Sequence, residues 1–352
     1  MFSVSGAGNL IFHRWHVHFV IEVVPVCCTL DSSMMNSIQN NEASGSKFRV
    51  LRQRSLSTCV LLALLAGALL WNHEIGYYGL VCLFCILTSW EWRHMLLHSG
   101  KAGRPNLLFV FGSLYPLALS LVCYGAKIDA QGSMLHAIGL PLLVLIAAPA
   151  LLVIWAFILE LKRPLVGSRS MRSVATTLLG FIYPVWLFAL AIPAIHLAYM
   201  QQGFVAPGTV MLVLWVILVT KMSDIFAYVS GFLAGGRFFA RKMIPHISPK
   251  KTWEGIIGSW VLTNAVGIGL LGPMFGVKSL SFLYVAEIAV VITFLFILAV
   301  CGDLAGSLIK RSLDVKDSGS LLPGIGGVFD LIDSPAFTVP VAFLACLFVY
   351  LS

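Results

Sequence analysis

Residues 135–160 read LHAIGLPLLVLIAAPALLVIWAFILE, and from Leu135 to Leu159 no side chain carries a formal charge. About 20 such residues, coiled as a helix, cross the roughly 30 Å hydrocarbon core of a bilayer. The strands of a membrane barrel would alternate apolar and polar positions, and this run does not. Apolar runs of the same kind recur at about 57–71, 75–92, 106–124, 174–199, 208–228, 255–275, 280–302 and 335–351, which makes nine candidate spans with the first. The two earliest are short enough to pair as a tight hairpin around Asn72 to Ile75.

Composition agrees. Of 352 residues only 23 are Lys or Arg and 15 Asp or Glu, while 59% are hydrophobic. Soluble domains are about a quarter charged, so a soluble globular domain and a disordered chain are both excluded. The net charge of +8 does not indicate nucleic acid, because the basic residues lie between apolar runs rather than on one soluble face. Cys82 and Cys85 form a Cys-x-x-Cys without a second pair or a histidine at metal-site spacing, and they read as apolar packing.

Charge sets the expected orientation, since Lys and Arg accumulate in cytoplasmic loops. Twenty of the 23 basic residues fall within 47–54, just before the first span, or in every second gap after it; the opposite gaps hold only Lys127 and Lys278, and Arg14 in the tail completes the total. The expected fold is thus an all-α integral membrane protein, a polytopic bundle of about nine transmembrane helices with a cytoplasmic amino terminus. Residues 1–46, polar and without a clean signal peptide, form a flexible tail, and His13, His16 and His18 have no scaffold to make them a metal site. Residues 47–205 are amino-terminal transmembrane helices; 206–352 form a catalytic region with cytoplasmic loops at 221–254 and 303–334.

Ionisable groups beside spans are costly and point to function. Asp303 ends the eighth span, Asp314 and Asp317 follow, and Asp330 and Asp333 precede the ninth at a spacing that shares one helix face. Carboxylates brought together repel unless a cation intervenes, and an all-oxygen set suits magnesium. Among these acids stand Lys310, Arg311 and Lys316, then Pro323-Gly324-Ile325-Gly326-Gly327, whose backbone can offer amides to an anion. Upstream, Ser248-Pro249-Lys250-Lys251-Thr252-Trp253-Glu254-Gly255 supplies hydroxyls and ammonium groups suited to phosphate, and Asp224 lies within reach of Lys221. Taken singly, each element also reads as a solvated loop or an orientation signal; together they point to metal-bound phosphate.

The stretch from Ser307 through Lys310-Arg311, Lys316-Asp317 and Pro323 to Gly327, ending in Asp330-Leu331-Ile332-Asp333, resembles the signature of phosphatidate cytidylyltransferases, also called CDP-diacylglycerol synthases. Ser248 to Gly255 resembles that family's second conserved stretch, so the likeness covers about 208–351. Two positions depart: Ile325 stands where the family has histidine, and Leu331 where it has arginine.

The resemblance implies a reaction in which CTP and phosphatidic acid give CDP-diacylglycerol and pyrophosphate. It implies Mg2+, with room for a second cation, held by Asp303 and Asp330 with Asp333, Asp317 and Asp224 as further acids. Asp303, Asp330, Lys310 and Lys316 are the implied catalytic groups. Ser248, Lys250, Lys251, Thr252, Ser307, Arg311, Gly326 and Gly327 are the implied substrate contacts. A bacterial inner membrane with the site facing the cytoplasm is expected, a homodimer is compatible with the family, and no nucleic-acid partner is expected. Three rivals stay open at this level: a CTP-dependent polyprenol or phytol kinase, a transporter, and an inactive relative in which Ile325 and Leu331 mark the loss.

Overall fold

The computed structural model describes residues 59–60, 63–71, 73–129, 138–164, 167–200, 208–236, 242–249, 251–279, 281–322 and 326–351. Leu56–Ser352 form one compact unit. The tail expected at 1–46 lies outside the described residues. Among the described residues there are only helices, turns and two isolated β-bridges.

The helices are α1 Glu74–Ser99, α2 Pro105–Asp129, α3 Leu140–Leu161, α4 Arg169–Met200, α5 Gly208–Ala234, α6 Trp253–Phe275, α7 Phe282–Ser312, the single turn α8 Phe329–Ile332, and α9 Pro335–Leu351. Seven of them, α1 to α7, are long and apolar enough to cross a membrane. The chain is a multi-pass membrane protein. Of the nine runs expected from sequence, the first lies partly outside the described residues, with 63–71 helical. The last is α9, an apolar helix of 17 residues that falls short of the others in length.

Hydrophobicity does not decide which helix is central, because lipid is as apolar as the protein interior. The most apolar helix, α3, buries only 17% of its apolar stretch within the protein, whereas the less apolar α4 buries 72%. Helix α3 therefore turns Leu143, Ile146, Ile154 and Phe157 outward, and α4 runs through the middle. Small residues let the inner helices approach: Gly180 of α4 lies against the Trp92 indole of α1, and Gly112 of α2 lies against Ser89. A π-helical turn at Ile182–Trp186 interrupts α4. It coincides with Pro184, which lacks the N–H that a regular helix would use.

Three helices continue past the point where hydropathy falls. Helix α1 runs to Ser99, α5 to Ala234 and α7 to Ser312, against expected ends at 92, 228 and 302. The expected loops 221–254 and 303–334 are thus partly helix, and Lys221, Asp224, Asp303, Ser307, Lys310 and Arg311 ride on helical turns. Hydropathy marks where side chains become polar; the backbone goes on satisfying its own i to i−4 bonds beyond that point. At the same end, Arg104 donates to Glu160 Oε1 at 2.8 Å and its backbone N–H to Thr177 at 2.9 Å, tying α2, α3 and α4 together.

Candidate active site

Asp303, Gly306, Ser307 and Lys310 recur at three- and four-residue spacing along the end of α7, so they share a face. Against this face lies the turn α8 and the segment leading into α9. Gly306 permits the approach: a Cβ there would stand 2.9 Å from the Cβ of Asp333 and 3.0 Å from its Oδ2. Gly302, one turn earlier, faces the Asp333 carbonyl in the same way, at 2.6 Å from the position of a Cβ. The Tyr183 hydroxyl, from the π turn of α4, reaches the carbonyls of Gly302 at 2.6 Å and Asp333 at 3.1 Å and ties the two segments together.

Each acid of this site has a distinct setting. Asp330 Oδ1 meets Lys310 Nζ at 2.5 Å. Its Oδ2 lies within donor reach of the Ser318 hydroxyl at 3.0 Å, the Gly327 amide at 3.1 Å and the Ser318 amide at 3.3 Å. Asp303 Oδ2 meets Lys251 Nζ at 2.5 Å, which joins the segment before α6 to α7. Asp224 Oδ2 accepts from Lys221 at 2.9 Å, while its Oδ1 accepts from the Ser334 hydroxyl at 3.2 Å. Asp333 is buried, and its Oδ1 accepts the Ser334 amide at 2.7 Å. Burial raises the Asp333 carboxyl to about 7; Lys221 opposes the rise and the negative charges of Asp303 and Asp224 add to it.

Two stretches separated by about fifty residues in the chain, one ending in Lys251-Thr252 and one running from Asp303 to Asp333, thereby form a single cluster of acids and ammonium groups. Residues 52–349 match the model of the cytidylyltransferase family. The chain belongs to the cytidylyltransferase family. Among curated relatives, the phosphatidate cytidylyltransferase of Haemophilus influenzae is 28% identical over 83% of this chain and 96% of its own length. An uncharacterized Escherichia coli protein, YnbB, is 37% identical over 53% of this chain and 58% of its own. A chloroplastic phosphatidate cytidylyltransferase of Arabidopsis thaliana is 34% identical over 57% and 51%. The chain thus spans little more than half of two of these relatives and nearly all of the third.

In this member of the cytidylyltransferase family, the residues singled out from sequence divide into three groups. Asp224, Lys251, Asp303, Lys310, Asp330 and Asp333 come together as described. Arg311, Lys316 and Asp317 are exposed, and among the described residues no ion pair or hydrogen bond links Asp317 to the clustered acids. Asp314 is also exposed and pairs with Lys101 at 2.8 Å. Lys250 and Pro323 to Ile325 lie outside the described residues.

Some residues have a different local role from the one sequence suggests. The Thr252 hydroxyl oxygen accepts the Gly255 amide at 3.1 Å and caps α6. The Ser248 backbone closes a turn, its amide donating to the Ile244 carbonyl at 3.0 Å. Neither glycine amide expected to hold an anion points at open space: Gly326 N–H bonds Leu322 O at 3.0 Å and Gly327 N–H bonds Asp330. Gly326 adopts φ 118°, a conformation that favours glycine, and a Cβ there would stand 2.9 Å from Asp330 Oδ2. Leu331, in the place of the family arginine, is half-buried in α8.

Sequence reasoning missed one residue altogether. Glu91, fully buried within α1, accepts the Val328 amide at 2.8 Å, the Phe329 amide at 2.9 Å and the Ser318 hydroxyl at 3.1 Å. Its position inside an apolar run was a signal, since a carboxylate at membrane depth needs partners. The partners themselves lie over 220 residues away in the chain and no local pattern names them.

Proposed function

We propose that this protein transfers the cytidylyl group of CTP to phosphatidic acid, giving CDP-diacylglycerol and pyrophosphate. The observation that carries the reading is the meeting of Lys251 with Asp303 and of Lys310 with Asp330 at one end of the bundle. The names of the Haemophilus influenzae and Arabidopsis thaliana relatives support the same substrates.

In this reading, Lys251 and Lys310 exchange their carboxylate partners for phosphate oxygens when the triphosphate enters. A phosphate oxygen of phosphatidic acid then attacks the α-phosphorus, a new P–O bond forms, and the bond to the bridging oxygen breaks to release pyrophosphate. The nucleophile is already anionic near neutral pH and needs no general base, which accommodates Ile325 at the family's histidine position. Catalysis comes from alignment and charge neutralisation rather than proton transfer.

Mg2+ is the implied cation, and the donor chemistry fits it: the acids offer hard oxygens, and buried Asp333 sits among like charges that a cation would relieve. Among the described residues no three acids, histidines or cysteines form a closed metal group. One or two carboxylates, Asp303 and Asp330 foremost, would therefore hold the ion, with phosphate oxygens completing its shell, as magnesium prefers. When bound, the ion neutralises charge on the departing pyrophosphate. A second cation would draw on Asp224 or Asp333.

The site faces the cytoplasm in this proposal, supported by the alternation of Lys and Arg along the chain, and bacterial relatives favour the inner membrane. A homodimer belongs to the proposal on the strength of the family resemblance alone. The test is incorporation of radiolabelled CTP into lipid by the purified, detergent-solubilised protein with phosphatidic acid and Mg2+. Labelled CDP-diacylglycerol is the expected product; a phospholipid lacking cytidine would turn the reading to a CTP-dependent kinase, and CTP binding without product to an inactive relative.

A further inference from the structure

We infer that Glu91 is a positioning residue for Asp330, acting from α1 through the backbone of the α7–α8 segment. The inference rests on the proposed cytidylyl transfer only for its kinetic consequence. Glu91 Oε1 takes the Val328 amide and Oε2 takes the Phe329 amide, while the single proton of the Ser318 hydroxyl is shared between Glu91 Oε2 at 3.1 Å and Asp330 Oδ2 at 3.0 Å. The same two stretches of backbone serve Asp330. Ser318 and Gly327, the latter adjacent to Val328, supply all three donors around Asp330 Oδ2.

With Oδ2 so engaged, Oδ1 is the oxygen that pairs with Lys310, and it would be the one to turn to a cation once Lys310 exchanges it for a phosphate oxygen. Glu91 thus decides which way Asp330 points without touching any substrate. The packing supports the same assignment. A Cβ on Gly319 would stand 2.8 Å from Glu91 Oε1, and one on Gly327 would collide with Ser318 Oγ and Glu91 Oε2. Both glycines therefore make room for this carboxylate. Phe329 is wedged edge-on between Trp92, the neighbour of Glu91, and Tyr183, with ring centroids 5.4 and 5.9 Å away. Side chain and backbone of Phe329 are held by the same turn of α1.

The experiment compares wild type with Glu91→Gln, Glu91→Asp and Ser318→Ala, all as full-length protein in detergent. Two readouts are taken: amide hydrogen exchange of the peptides covering 313–334, and steady-state kinetics with CTP, phosphatidic acid and varied Mg2+. Gln cannot accept at both positions, and Asp keeps the charge but falls one methylene short. Both should exchange at least tenfold faster at Gly327, Val328 and Phe329, with exchange in α2 and α3 unchanged. Their kcat should fall at least tenfold and their half-saturating Mg2+ should rise, while KM for phosphatidic acid holds. Ser318→Ala should show the kinetic change with little change in exchange at Phe329.

Wild-type exchange rates in Glu91→Gln would overturn the inference, whatever the activity. So would full activity in Glu91→Asp, which would reduce the role to charge alone, or faster exchange spread evenly over all helices, which would reduce it to global stability. Absence of CDP-diacylglycerol from wild type would instead overturn the proposed function, and local exchange would still decide whether Glu91 holds this segment.

Discussion

Lys310 Nζ lies 2.5 Å from Asp330 Oδ1, an ion pair that bridges the end of α7 and the turn α8 with both side chains less than one-fifth exposed. Removing one partner leaves the other charge poorly solvated and disoriented. Lys310→Met and Asp330→Asn should each lower kcat by about a hundredfold or more, the loss typical of a missing electrostatic contact to a reacting phosphate. Labelled CDP-diacylglycerol formation, normalised to folded protein, measures this.

Lys251 and Asp303 couple the two stretches that sequence joins only by resemblance. If their contact positions both, Lys251→Ala and Asp303→Asn should each be damaging, and the double variant should be little worse than the more damaging single one. A double-mutant cycle on kcat/KM reads the coupling directly. Strict additivity would mean that the pair acts as two independent groups.

Asp333 gives the pH dependence. Its carboxyl is raised from 3.8 to about 7 chiefly by burial, so the folded protein holds a proton there that the unfolded chain has released. Stability from this group is therefore greatest at low pH and falls as pH rises between about 4 and 7. Asp333→Asn should remove that slope, and its melting temperature at pH 8 should equal or exceed that of wild type, as read by tryptophan fluorescence. If ionised Asp333 helps to hold Mg2+, half-saturating Mg2+ in wild type should rise as pH drops below 7.

The glycines of α7 give a packing prediction. Alanine in place of glycine inside a helix ordinarily stabilises by up to about 1 kcal/mol. At Gly306 and Gly302 the added Cβ meets Asp333 and Ser334 at 3.0 Å or less, so Gly306→Ala and Gly302→Ala should instead lower the melting temperature and the activity together. Gly79 in α1 has nothing within 4 Å of a Cβ, and Gly79→Ala should be neutral or stabilising.

Membrane helices were legible in the chain because spanning requires only a sufficient apolar length, a local property; residues 106–124 and 135–160 announce α2 and α3 within a few residues. Helix ends were less legible, since Lys310 and Asp224 are polar yet still helical. The acids and lysines of Asp303, Lys310, Asp330 and Lys251 could be named from residue type and spacing, because phosphate chemistry demands those groups. Which carboxylate each lysine meets, and the exposure of Asp317 and Lys316, depended on how α5, α6, α7 and α8 pack.

Glu91 marks the boundary between the two kinds of knowledge. Sequence alone determined an all-helical membrane chain and the inventory of its charged groups, because apolar length and side-chain chemistry are properties of residues and their near neighbours. Tertiary structure alone decided that an acid in α1 accepts the amides of Val328 and Phe329. A buried carboxylate must be satisfied, but which donors satisfy it is set by the approach of α1 to α8, a long-range relation that no local pattern encodes.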